Sequence, residues 1–289
     1  MHPPAPRAGG VAAPPGDQAA RLLRLVAAWG VPHNHERSFR MSVGALQADR
    51  FLLTANAAGI PGGPAGGALA VCDQLGMPPG LRDAAAAGLP AASAVHFGFE
   101  GNPGGALCKL YLERAVPPAA ARRAHAAGAP ALLHLAFKWS QPEGTAVTAR
   151  YLWHPLLAAD AIARRIERLH PGAGEPRAIA TEFLRLAAAG APAERLQYLE
   201  VEEAGTGRRS FDLNLYGAKL SVGDAEAPLQ RMQRHFGLPP GQFQALYDQV
   251  RRLPLGHVAG GTHRNGEGFF SIYYGATGSP PVAMRPRAG

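Results

Sequence analysis

The stretch SAVHFGFEGNPGGALCKLYLER, residues 93–114, reads as two strands folded about a turn. Asn102-Pro103-Gly104-Gly105 supplies the turn chemistry between SAVHFGFEG and ALCKLYLER. In the second strand Cys108, Leu110 and Leu112 share one face, and Lys109, Tyr111 and Glu113 share the other. Four more pairs of the same kind follow or precede it. They are 37–45 with 49–57, 131–140 with 145–153, 195–203 with 209–220, and 255–266 with 268–276. Gln141-Pro142-Glu143-Gly144 and Ala204-Gly205-Thr206-Gly207 separate the strands of two of them.

Helical stretches lie between the pairs. Residues 158–170 and 176–190 are the clearest, followed by 227–237 and 240–252; weaker ones are 66–76, 79–88 and 117–128. A first helix over 19–30 ends at Gly30 before Pro32, with Asp17 as its expected cap. QLGMPPGLRDAAAAG and its following hairpin echo HFGLPPGQFQALYDQ and the last hairpin, so the chain repeats an α-α-β-β unit. Ten antiparallel strands in hairpins remove their two open edges by closing. The expected fold is α+β: a ten-stranded antiparallel barrel of repeated ααββ units, with the helices coating the outside.

A coated barrel reverses the usual sense of strand faces. Phe211, Leu213 and Leu215, Leu133, Leu135 and Phe137, and Phe39, Met41 and Val43 would meet helices. Asp212, Asn214 and Tyr216, His134, Ala136 and Lys138, and Glu36, Ser38, Arg40 and Ser42 would line the lumen. Polar groups enclosed in this way require partners, from a ligand or water.

The chain has 289 residues, 47% of them hydrophobic and only 17% charged. No apolar run is long enough to span a bilayer, and the N-terminus has no secretory h-region, so a cytoplasmic protein with no membrane partner is expected. Cys72 and Cys108 are too few for a disulfide scaffold. Residues 1–17 and 278–289, rich in Pro, Gly and Ala, read as disordered tails flanking a single barrel over 18–277. The net charge of +8 invites a polyanion. No block of like charges accompanies it, so nucleic acid is not the expected partner. Only three of the 29 basic residues are lysines, and Lys109, Lys138 and Lys219 all fall in strand-like segments.

Three segments, ERSFRMSVGALQADRFLL at 36–53, GFEGNPGGALCKLYLE at 98–113 and HVAGGTHRNGEGFFSIYYG at 257–275, resemble the ABBA-type prenyltransferases. Within these, they are most similar to the cyanobactin peptide prenyltransferases. The resemblance implies transfer of a dimethylallyl or geranyl group from its diphosphate to a side chain of a ribosomal peptide or to an aromatic small molecule. It places Arg50 and Lys109, and less firmly Lys138, on the diphosphate. Tyr111, Tyr151, Tyr216 and Tyr273 fall on positions that shield the allylic cation, and Glu36 on that of the acceptor's base. It allows Mg2+ carried by the diphosphate, with no organic cofactor and no resident metal, in a monomer. Ser42 and Ser271 stand where related peptide enzymes carry an acid and an arginine. A non-catalytic barrel holding an amphipathic ligand is the alternative, and behind it a nucleic-acid-binding protein, favoured by the net charge alone.

The chemistry agrees with the residue types. Ionising an allylic diphosphate needs fixed cations for the leaving anion, π-faces for the carbocation, and exclusion of water. A carboxylate then removes the acceptor's proton. No Asp-Asp-x-x-Asp motif is present. His33-Asn34-His35-Glu36, after Pro32, reads as a loop without further ligands rather than as a zinc site. GGTHRNGEG reads as a hairpin turn, since it lacks the Lys-Ser/Thr of a P-loop. His96 and Glu100 share a strand face as an expected hydrogen-bonded pair, with Glu100 the second candidate for the base.

Overall fold

The computed structural model describes residues 15–102, 105–141, 144–170, 174–192 and 195–278. Helix α1 (Pro15–Ala27) leads into β1 (His33–Ser42), the short β2 (Ala45–Gln47) and β3 (Arg50–Asn56). α2 (Gly63–Gln74) and α3 (Pro79–Gly88) precede β4 (Ala94–Asn102) and β5 (Gly105–Glu113). α4 (Pro118–Ala126) precedes β6 (Ala131–Gln141) and β7 (Ala146–His154). α5 (Ala159–Leu169) and α6 (Gly174–Gly190) precede β8 (Gln197–Glu203) and β9 (Arg209–Asn214). α7 (Glu226–His235) and α8 (Pro240–Val250) precede β10 (Leu255–Thr262) and β11 (Gly268–Thr277).

All eleven strands belong to one antiparallel sheet in the order β11-β10-β9-β8-β7-β6-β5-β4-β3-β1-β2. β2 pairs only with β1, and the other ten close into a barrel because β11 returns to β1, with Ser38 opposite Tyr273 and Arg40 opposite Ser271. Closure leaves the barrel strands without a free edge. Every hairpin turn lies at one end of the barrel and every helical connection at the other.

The apolar faces point outward. Leu53, Phe97, Phe99, Leu110, Leu112, Phe137 and Trp139 pack under α1, α2 and α3, whose Leu22, Val26, Ala68, Leu69 and Ala85 are buried against them. Phe211, Leu213, Val258, Phe270 and Ile272 meet Ile162, Ile166, Phe183, Leu229 and Phe243 from the other helices. α5 shows why such a segment is a helix: Ile162 and Ile166, four residues apart, are fully buried, while Arg164 and Arg168 point outward. Burying such a side chain contributes about 1.5–3 kcal/mol, and the lumen, being polar, adds little of this kind. Cys72 and Cys108 are buried in the outer layer as free thiols. No helix among the described residues is long and apolar enough to cross a membrane.

Five sequence expectations change. Val43 lies in the turn after β1, 70% exposed, and meets no helix, because the strand ends at Ser42. His33–Glu36 lies inside β1 rather than in a loop. α1 begins at Pro15, so Asp17 sits in its first turn and is not its cap. The second strand of the fourth hairpin ends at Asn214. Lys219 follows it as an exposed residue with φ 55°, outside the lumen, because the chain turns away there toward α7. Residues 1–14 and 279–289, most of the expected tails, lie outside the described residues.

Candidate active site

The lumen divides along the barrel axis into three tiers. At the hairpin end, cations gather on two buried carboxylates. Glu100, 3% exposed, is held by Arg50 at 2.7 Å, by both terminal nitrogens of Arg40 at 3.2 and 3.3 Å, and by Lys109. Burial opposes its charge, but Arg40, Arg50 and Lys109 hold the Glu100 carboxyl well below the usual range. Held in this way, Glu100 is a weaker base than an ordinary carboxylate. Next to it, Lys138 faces Lys109 across β5 and β6. Lys138 donates to Glu203 at 2.9 Å, and Arg208 and Arg264 close on the same carboxylate from the β8–β9 and β10–β11 turns, at 3.4 and 2.5 Å. Burial, then Arg208, pull Lys138 down to about 7 against the pull of Glu203. Arg40 also donates to Ser271 at 3.0 Å and lies over the Phe269 ring at 4.9 Å, so an arginine from β1 reaches the Ser271 position on β11. Gly98 makes room for this tier, since a Cβ there would lie 3.3 Å from the Lys109 stem.

The middle tier is aromatic. Tyr111 and Tyr151 meet edge to face at 5.5 Å, and Tyr273 joins them on the lining of a cavity shared with Arg40, Lys109, Arg208, Ser210 and Asp212. The cavity measures about 20 Å³, room for roughly one water. Burial raises all three phenols, so they stay neutral. Arg50 Nη1 and Ser210 Oγ are buried without hydrogen-bond partners. Such orphan donors favour an incoming acceptor group.

At the helical end stand Glu36, Glu113 and Asp212 with three histidines. Glu36, 6% exposed, accepts a short hydrogen bond from Tyr216. Burial raises its carboxyl, against the pull of His257 and Tyr216. Burial also opposes charge on His257, but Asp212 at 2.8 Å outweighs it and lifts that ring to about 9. His96 bridges Thr54 and Glu113, at 2.8 Å each, and does not pair with Glu100, four residues along the same face. His134, lowered to about 4 mainly by burial, has an unpartnered Nδ1. No lysine or arginine among the described residues pairs with Glu36, Glu113 or Asp212.

The structure therefore brings Arg50, Lys109 and Lys138 together, and gathers Tyr111, Tyr151 and Tyr273 beside them. It separates Tyr216 from that belt: Tyr216 lies beyond β9 in a 3-10 turn and serves Glu36. Sequence reading missed Arg208 and Arg264 as site residues because they sit in turns, and Arg40 despite its lumen face. Their shared signal is proximity to a hairpin turn. It also missed His96, Glu113 and His134, whose ligand atoms lie within 4.8 Å of one another and could hold a metal ion. At the hairpin end Glu100 and Glu203 each answer three cations, so that tier offers Mg2+ no free carboxylate. Any Mg2+ arriving there with a diphosphate would be held by the phosphate oxygens.

Gly256, on β10, sets the position of Glu36. A Cβ there would collide with the Glu36 carboxylate and approach the Tyr216 hydroxyl to 2.7 Å. Gly256→Ala is expected to displace both groups and to lower about 10²-fold any turnover in which Glu36 takes part, the cost of a roughly 1 Å misplacement. Circular dichroism and a thermal melt close to wild type would accompany that loss. Unchanged turnover would show that the placement of Glu36 is not critical.

Ten antiparallel strands closed around a polar lumen and coated by helices define the ABBA, or PT-barrel, fold. No protein-family model and no curated protein matches the sequence. Solved structures do match the fold. One is 5-dimethylallyltryptophan synthase from Streptomyces coelicolor, with a TM-score of 0.59 and 17% identity over 88% of this chain and 82% of that one. Another is prenyltransferase PriB in a ternary complex with L-tryptophan and dimethylallyl thiolodiphosphate, with 0.57 and 17% over 91% and 96%. A third is 6-dimethylallyltryptophan synthase from Micromonospora olivasterospora, with 0.56 and 13% over 93% and 96%. None of these three bears on the narrower likeness to the cyanobactin enzymes.

Proposed function

We propose that the protein is a prenyltransferase that moves a dimethylallyl or geranyl group from its diphosphate to an aromatic acceptor, free or within a peptide. The observation that carries this reading is the segregation of the lumen: cations at the hairpin end, neutral tyrosines next, and a buried carboxylate beyond them. Arg40, Arg50, Lys109, Lys138 and Arg208 receive the diphosphate. Arg50 Nη1 meets it without giving up a partner. As the C–O bond breaks, these groups stabilise the leaving anion. Tyr111, Tyr151 and Tyr273 present ring faces to the allylic cation and keep water from it. Glu36, oriented by Tyr216, takes the proton that the acceptor loses as the new bond forms. The metal-free case needs no other group. An active barrel releases inorganic diphosphate from dimethylallyl diphosphate, slowly alone and faster with an acceptor. A barrel that binds the donor without releasing diphosphate is a binding module instead.

The charge of the acceptor end selects among acceptors. With carboxylates there and no lysine or arginine paired to them among the described residues, an acceptor's own carboxylate meets only the His257 cation, already held by Asp212, at a cost that lowers kcat/KM by on the order of tenfold or more. Tryptophan amide is therefore expected to be preferred over free tryptophan by that factor, in competition assays read by mass. The reverse preference would count against acceptor binding at this end.

A further inference from the structure

Within the hairpin tier, each lumen cation closes on one of two internal carboxylates. Glu100 gathers Arg40, Arg50 and Lys109, and Glu203 gathers Lys138, Arg208 and Arg264. The two clusters are neighbours, because Lys109 and Lys138 oppose each other across β5 and β6. Both carboxylates are deeply buried, at 3% and 5% exposed. The cavity lined by Arg40, Lys109 and Arg208 holds about one water, and a larger one, of about 270 Å³, opens beside Glu203, Arg208 and Ser210. A diphosphate has two phosphoryl groups, and it needs the nitrogens that these two carboxylates now hold.

We propose that Glu100 and Glu203 are internal counter-anions that keep the places of the donor's two phosphoryl groups, so that donor binding is an exchange of anions. The proposal rests on the reading of this tier as a diphosphate site. The glutamates are positioning residues: they fix six basic side chains whose charges would otherwise repel one another, and they yield them when the donor arrives. Arg264, 40% exposed on the β10–β11 turn, and Arg208 on the β8–β9 turn are the partners best placed to swing from Glu203 to an incoming phosphate. Glu100 lies deeper and gives up the bidentate Arg40 before its contact to Arg50, since Arg40 is the more exposed, at 11% against 2%. No bond is made or broken in the protein; ion pairs change partner, and the displaced carboxylates stay ionised beside the remaining cations.

The sign of the effect separates this role from simple scaffolding. A glutamine at either position keeps an acceptor oxygen for the cations but removes a unit negative charge next to the diphosphate. Glu100→Gln and Glu203→Gln are each expected to bind inorganic diphosphate about tenfold more tightly than wild type, as repulsion in a desolvated site is relieved. Donor KM should fall in parallel while kcat falls too, because the product diphosphate leaves more slowly. In thermal melts, added diphosphate should raise the midpoint of each variant by more than that of wild type. Glu203→Gln is the safer variant to fold, since Arg264 can be hydrated at the surface. Titration calorimetry on the full chain decides the matter. If wild type binds diphosphate and neither variant binds it more tightly, the exchange is wrong and the donor site stands. If none of the three proteins binds diphosphate, the donor site itself is wrong, and the exchange falls with it.

Discussion

Lys109→Ala is expected to lower prenyl transfer by roughly 10²–10³-fold, the loss that follows removal of one fixed donor to a developing anion. Lys109 is 7% exposed, stands on β5 between the Glu100 cluster and the tyrosines, and lines the cavity together with Tyr111 and Tyr273. Its position suits it to the bond that breaks more than to the diphosphate as a whole, since Arg40 and Arg50 remain on Glu100 without it. The loss should therefore appear mainly in kcat, and equally in diphosphate release and in transfer. The outer layer does not touch this side chain, so the circular dichroism spectrum should match that of wild type. A folded variant with unchanged turnover would remove Lys109 from the reaction.

Glu36→Gln should divide two steps that Lys109→Ala lowers together. Glutamine keeps the size and a hydrogen-bond acceptor for Tyr216 but has almost no basicity. Transfer should fall by about 10²–10⁴-fold, the usual worth of a general base. Release of diphosphate to water should persist, because the cations and tyrosines are untouched. The pH profile adds a check with a definite sign. Burial raises the Glu36 carboxyl, and only its ionised form accepts a proton, so wild-type transfer rises with pH through that raised value. The variant should lose this rising limb. If transfer and diphosphate release fall together, Glu36 holds the donor complex instead. If neither falls, the proton leaves by another route, and Glu100 is a poor one because three cations keep it ionised and occupied.

Much of this was legible before any coordinates. Strand faces follow from a period of two, so CKLYLE and LLHLAFK place Lys109, Tyr111, His134 and Lys138 inside once the outer face is known to carry helices. Hairpin turns mark themselves through Gly, Pro and Asn. The depth of a residue along the axis was harder to see. It depends on distance from the nearest turn, and a bulge between Leu132 and His134 or between Leu255 and His257 shifts that count. Tyr216 shows the limit: continuing the alternation past Asn214 keeps it in a strand, whereas the chain leaves the sheet there. Pairings such as His96 with Glu113, or His257 with Asp212, join different strands and depend on register, which alternation alone does not fix.

The pairing of β11 with β1 sets an order on synthesis. Among the barrel strands β1 is the first to be made, and it waits for residues near 277 before its second neighbour exists. Until then Ser38 and Arg40 have no partners in Tyr273 and Ser271, and both ends of the growing sheet present open edges. Nascent chains of this protein therefore carry a long-range contact that forms only once β11 has been made, which slows folding and leaves partly made sheets prone to associate with one another. Closure waits for β11, so the lumen is enclosed only after that strand has joined β1.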